Sequence, residues 1–133
     1  MRQHMKNAEL VANFLKNHSK VNYVSWAGFK ENIYHELAKK YFKDGFGSVF
    51  TFSLKSGYEG AMQLVENCNL ISHLANVGDT RSLIVHPAST THRQLSNEQK
   101  EKSGVGDSII RLSIGLESHK DIIADLEGAL STI

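Results

Sequence analysis

The chain has 133 residues, of which 41% are hydrophobic and 22% charged. That is ordinary globular usage, and it excludes an intrinsically disordered chain. Fifteen Lys plus Arg against fourteen Asp plus Glu give a net charge of +1, so there is no electrostatic footprint for nucleic acid or a membrane surface. No apolar stretch approaches the roughly 20 residues of a membrane span, and Met1–Asn7 holds no apolar signal core. A lone cysteine, Cys68, excludes an internal disulfide framework and fits a reducing cytoplasm.

Taken in chain order, Leu10, Val11, Phe14 and Leu15 at helical spacing predict a helix over Asn7–Asn17. Val21–Trp26 alternates and reads as a short strand. Asn32–Tyr41 reads as a second helix, with Ile33, Leu37, Ala38 and Tyr41 on one face. Lys43–Gly47 is a turn, because Asp44-Gly45 and Gly47 invite positive φ. Ser48–Leu54 is a β-rich run, and Gly57–Cys68 a third amphipathic helix. Ser72–Val77 and Ser82–His86 are strand candidates on either side of Gly78-Asp79-Thr80. Ser96-Asn97-Glu98-Gln99 matches a capping box, and Gly104 stops that short helix. Ile109–Ile114 alternates cleanly. Ser118–Asp121 caps a final helix bearing Ile122, Ile123, Leu126, Ala129, Leu130 and Ile133. This order predicts one α+β domain over residues 1–133, a small, mostly antiparallel sheet with helices on one face.

Few residues invite chemistry. The seven histidines form no H-x-x-x-H or H-E-x-x-H pattern and read as polar loop or surface residues, with no metal site. Cys68 lies on an apolar helix face, where a free cysteine is inert packing. Lys55 follows a strand and precedes Gly57. A buried lysine there could serve as a Schiff-base amine, but an exposed strand-end lysine is the ordinary reading. Gly45-Phe46-Gly47 and Gly104-Val105-Gly106 match no phosphate-binding pattern.

Arg111 is the most informative charge. In Ile109–Ile114, residues Ile110, Leu112 and Ile114 share one face, and Arg111 and Ser113 share the other with Ile109. A guanidinium there needs an anion or solvent, and its fork matches a carboxylate. The segment Asn76–His92 is dense in small polar residues, as ligand-binding loops are.

Here the chain resembles a known family. Asn76–Leu83, the His86-Pro87-Ala88-Ser89-Thr90-Thr91-His92 stretch, and Arg111–Glu117 (R-L-S-I-G-L-E) look like the C-terminal part of the Cys/Met-metabolism pyridoxal-phosphate (PLP) enzymes. That family includes cystathionine γ-synthase, cystathionine lyases, methionine γ-lyase and O-acetylhomoserine sulfhydrylase. The Asn76–Leu83 flavour with Thr90 is most similar to the sulfhydrylase branch. Similarity runs back through Tyr34–Tyr41 and Gly45–Ser48.

The resemblance implies the C-terminal domain of a fold-type-I PLP transferase, in which Arg111 pairs with a substrate α-carboxylate while Asn76 and Thr91 lie beside it. It implies PLP in the complete enzyme, an amino-acid substrate and a homotetramer. The family's S-x-T-K lysine motif, its phosphate-binding Tyr and Arg, and its pyridine-pairing Asp belong to a large N-terminal domain that these residues do not match. Lys55 matches a later strand, followed here by Ser56-Gly57 where Gly-Gly is usual. On that basis the chain carries no catalytic or cofactor-binding residue of its own. It is expected to be a fragment or split gene product, inactive alone, whose partner is the N-terminal PLP domain or a homologous subunit. The alternative class is a non-catalytic interaction module with an exposed apolar patch.

Overall fold

A computed structural model describes every residue except Val77, together with all side chains but those of Asn97 and Glu101. The elements run α1 (Arg2–Lys16), β1 (Val21–Ser25), α2 (His35–Tyr41), β2 (Val49–Leu54), α3 (Gly57–Asn67), β3 (Ser72–His73), β4 (Leu83–Val85), α4 (Asn97–Lys102), β5 (Ile109–Ser113) and α5 (His119–Ser131). The five strands form one sheet in the order β1-β2-β5-β4-β3. Only β3 runs parallel to its neighbour; the other three pairings are antiparallel. The expected α+β class and mostly antiparallel sheet are therefore present. No helix among the described residues is long and apolar enough to cross a membrane.

The alternation of β2 and β5 divides the sheet into two unlike faces. Phe50 and Phe52 pair with Leu112 and Ile110, and all four are buried on the inner face. Onto that face pack Ala8, Val11, Ala12 and Leu15 of α1, Ala61, Leu64 and Val65 of α3, and Ile122, Leu126 and Leu130 of α5. The core thus lies between the sheet and three helices. The outer face carries Thr51, Arg111 and Val85 in one cross-strand row, and Val49, Ser113 and Leu83 in the next.

Several boundaries differ from the sequence reading for physical reasons. Helix α1 starts at Arg2, five residues early. Its polar first turns are buried because His4 Nδ1–H donates to the Ile114 carbonyl at 2.7 Å and the Asn7 amide donates to Gly115 O and Glu117 O. Helix α2 starts three residues late, since the Asn32 side chain accepts the Tyr34 N–H and holds a turn there. Of the residues grouped on one face, Ala38 is buried, whereas Ile33, Leu37 and Tyr41 are exposed, Ile33 by 85%. A register shift between Val21 and Tyr23 breaks the alternation of β1, so Val21 and Val24 both point inward.

β3 spans two residues, not the six expected over Ser72–Val77, and Val77 lies outside the described residues. The expected turn at residues 43–47 forms, with positive φ at Gly45 (143°) and Gly47 (77°). The capping box is complete: Ser96 N–H donates to Gln99 Oε1 at 2.9 Å and Gln99 N–H to Ser96 Oγ at 3.3 Å. Ser118 starts α5 as expected but makes no side-chain cap bond.

Lys20 and Asp125 are among the side chains that tie α5 to the rest. Lys20 Nζ donates to the Leu130 and Ile133 carbonyls and so satisfies orphan acceptors at the helix C-terminus. The Asp125 carboxylate accepts the N–H groups of Asn69, Leu70 and Ile71 at 2.8–3.1 Å. Asp125→Ala strands those donors and is expected to cost about 1–3 kcal/mol, read as a lower urea midpoint. An unchanged midpoint would remove Asp125 as the anchor of this loop.

Candidate functional site

Strand β5 presents Arg111 on the outer face because its two neighbours, Ile110 and Leu112, are drawn into the core. Thr51 of β2 and Val85 of β4 stand directly opposite it on either side. The guanidinium donates from Nη2 to the Asn76 carbonyl at 2.9 Å. Among the described residues, no carboxylate pairs with Arg111. Leu74, Asn76, Leu83, Val85, Arg111 and Ser113 line one tight crevice. A guanidinium with apolar neighbours that, among the described residues, spends one N–H on a carbonyl is an acceptor-seeking site for a planar anion.

The crevice lining contains no lysine to anchor PLP and no acid to face a pyridine nitrogen. These residues do not fit the cofactor by themselves. Lys55 is exposed and donates from Nζ to the Ser19 carbonyl at 2.6 Å, the ordinary reading of that residue. Burial together with Asp125 pushes the Cys68 thiol up to about 12, so the thiolate is not formed near neutrality and the side chain is packing.

Of the three residues expected around a carboxylate, the structure brings two together. Asn76 meets Arg111 through its backbone carbonyl, while its side chain bonds the Asp79 carboxylate. Thr91 lies on the loop after β4. It lines a separate open concavity with residues 90–95, of about 460 Å³, and its Oγ1 bonds His92 Nδ1 at 2.8 Å.

The sequence reading singled out neither Thr51 nor Asp79. Thr51 was legible as an outward position on β2 from alternation alone. Asp79 carried the signal of a carboxylate two residues before an arginine. Its Oδ1 accepts the Arg81 N–H at 3.0 Å and Oδ2 accepts Arg81 Nη2 at 3.1 Å. The Arg81 contacts hold the Asp79 carboxyl down at about 2.

The R-L-S-I-G-L-E stretch is mostly structural around its single arginine. Glu117 accepts the Ser82 N–H at 2.6 Å and the Ser82 hydroxyl at 2.9 Å. Ser82 Oγ in turn accepts the Gly115 N–H. A Cβ on Gly115 would lie 2.4 Å from Thr80 O and from the Arg81 carbonyl carbon, so only glycine allows this approach. Leu116 N–H donates to Thr80 O at 2.8 Å. The stretch thereby staples the loop after β5 to the loop before β4.

The histidines correct the surface reading: His4, His35 and His86 are buried, His86 to 1% exposure. His86 Nε2–H donates to the Asp107 carbonyl at 2.8 Å, which leaves Nδ1 to accept from Ser89 Oγ at 2.9 Å. Tyr58 packs edge-on at 5.0 Å. Burial lowers the His86 pKa below its ordinary 6.5. The unfolded chain then binds a proton that the folded chain resists. His86 contributes full stability above pH 6.5, and that contribution falls as pH drops through 6.5 toward the folded value. The urea midpoint is expected to fall between pH 7 and 5 more steeply for the wild type than for His86→Gln. Equal slopes would refute this.

The comparisons with known proteins agree with this fold. The model of the Cys/Met metabolism PLP-dependent enzyme family matches residues 1–131. O-acetyl-L-homoserine sulfhydrylase 1 of Thermus thermophilus is 46% identical over 129 residues, covering 97% of this chain and 31% of that protein. L-methionine γ-lyase of Fusobacterium nucleatum subsp. polymorphum is 45% identical, covering 100% and 33%. A crystal structure of an O-acetylhomoserine (thiol)-lyase from Campylobacter jejuni superposes with a TM-score of 0.91 at 46% identity, over 97% of this chain and 31% of that one. Cystathionine γ-synthase from Xanthomonas oryzae pv. oryzae gives 0.90 at 36% identity, over 98% and 34%. The chain thus spans about a third of the length of the relatives it matches. The chain belongs to the Cys/Met metabolism PLP-dependent enzyme family.

Proposed function

We propose that the chain is the substrate-carboxylate domain of a PLP-dependent sulfhydrylase, which forms a homocysteine precursor of methionine from O-acetylhomoserine and sulfide or a thiol. One observation carries this reading: Arg111 stands on the outer sheet face with a carbonyl and no carboxylate as its protein partner among the described residues. Arg111 clamps the α-carboxylate through paired N–H groups. Asn76 orients that clamp; Thr91 lines a separate concavity and would contribute only from its loop in the complete enzyme. Holding the carboxylate aims the Cα–H bond, which is a positioning role. PLP, when bound to the complete enzyme, withdraws electron density from the substrate Cα.

In this reading residues 1–133 are one domain, inactive alone, and the cofactor is held by an N-terminal domain or homologous subunits of a cytoplasmic homotetramer. Sulfhydrylase is preferred to γ-lyase or γ-synthase on the Asn76–Leu83 stretch and on the sulfhydrylases among the relatives at about 45% identity.

The test exchanges this chain for the matching third of the Thermus thermophilus enzyme. A chimera that makes homocysteine from O-acetylhomoserine and sulfide supports the reading. A chimera that retains PLP absorbance but turns over only methionine would reassign the parent reaction. The chain by itself, incubated with PLP and gel-filtered, is expected to retain no PLP absorption band.

A second reading, a non-catalytic docking module, draws on Tyr34, Leu37, Tyr41 and Phe42, which form an exposed apolar patch around α2. It requires concentration-dependent association by light scattering; a strictly monomeric chain would count against it.

A further inference from the structure

We infer that Asp79 is a positioning residue for the carboxylate clamp, tying Asn76 to Arg81 so that the Asn76 carbonyl fixes the Arg111 guanidinium. The inference rests on the proposed role of Arg111 and extends it to a residue that touches neither substrate nor Arg111.

The argument begins with what holds Asn76. β3 ends at His73, and residues 74–76 belong to no strand. The far end of the loop is firmly tied: Thr80 O accepts the Leu116 N–H, and Ser82 is held twice by Glu117. Asp79 joins that tied end to Asn76. Its carboxylate closes the turn on the Arg81 N–H at 3.0 Å, takes the Arg81 guanidinium on both oxygens, and bonds the Asn76 side chain. The Asp79 side chain is 16% exposed while that of Arg81 is 59% exposed, so the carboxylate is the inner partner.

Charge explains the pairing. Arg81 neutralises the Asp79 carboxylate that holds the Asn76 side chain. What reaches Arg111 is a neutral carbonyl, 2.9 Å from Nη2. The carbonyl fixes one edge of the planar guanidinium and leaves the remaining N–H groups in a defined orientation for a carboxylate.

The test uses the 133-residue chain, titrated with L-α-aminobutyrate and followed by ¹H–¹⁵N correlation spectra that include the Arg111 Nε–H signal. The wild type is expected to bind, with the Arg111 signal moving. Arg111→Lys is expected to abolish the shift. Asp79→Asn keeps the shape but loses the charge. It is expected to weaken binding about fivefold and to alter the ligand-free Arg111 signal, with the urea midpoint little changed.

Loss in Arg111→Lys with unchanged binding and an unmoved ligand-free Arg111 signal in Asp79→Asn overturns this inference and leaves the clamp standing. Binding that survives Arg111→Lys, or no binding by the wild type, overturns the clamp and the inference with it. Asp79→Ser, which can still accept the Arg81 N–H but cannot grip its guanidinium, is read in the same way. If neither Asp79 variant folds, Asp79 is structural and the inference fails.

Discussion

Arg111→Ala in the active chimera is expected to lower kcat/KM by about 2–4 kcal/mol, roughly thirty- to a thousandfold, the cost of removing one partner of a charged clamp. The loss should appear mainly in KM, because the carboxylate is held in the ground state as well as in the transition state. Stability should hardly move. Arg111 lies on the outer face, its described bond goes to one carbonyl, and it stands outside the main hydrophobic cluster. Arg111→Lys should recover little, since an ammonium cannot offer two parallel N–H groups to a carboxylate. An unchanged kcat/KM in Arg111→Ala would end the carboxylate assignment.

Leu112→Ala, one residue along the same strand, is expected to do the opposite. Leu112 is fully buried between Phe50 of β2 and Ile84 of β4. Truncation leaves a cavity at the centre of the sheet and should cost about 2–5 kcal/mol, visible as a lower urea midpoint in the isolated chain. In the chimera, the catalysis that remains below the unfolding transition should keep its KM. A raised KM with unchanged stability would mean that β5 transmits inner-face packing to the clamp, contrary to the two-faced sheet described above. The two variants together separate the functional side of β5 from its structural side.

Much of the fold was legible because local physics and packing agreed. Alternation over Ile109–Ile114 placed Arg111 outward before any neighbouring strand was known, and the observed register bears it out. The Ser96–Gln99 capping box formed as written, since its bonds close within four residues. The family resemblance, carried by Asn76–His92 and Arg111–Glu117, agrees with the family model and with the solved relatives.

Three of the misreadings share a cause, in that the deciding partner is distant in sequence. Polar His4 and Asn7 extend α1 because Ile114, Gly115 and Glu117 present carbonyls to them across more than a hundred residues. The apolar residues of α2 look like a core face, yet the main core is already filled by α1, α3 and α5. The polar Asn76–His92 segment hides one buried histidine, His86, whose partner is the Asp107 carbonyl.

The sequence by itself thus determined the class of the fold, the outward arginine and the family, because each is written in short-range pattern or motif. Only the tertiary structure decided which groups meet Arg111. The Asn76 carbonyl comes from a loop 35 residues away, and the Glu117 contact that ties the end of that loop follows from strand order rather than from any local period.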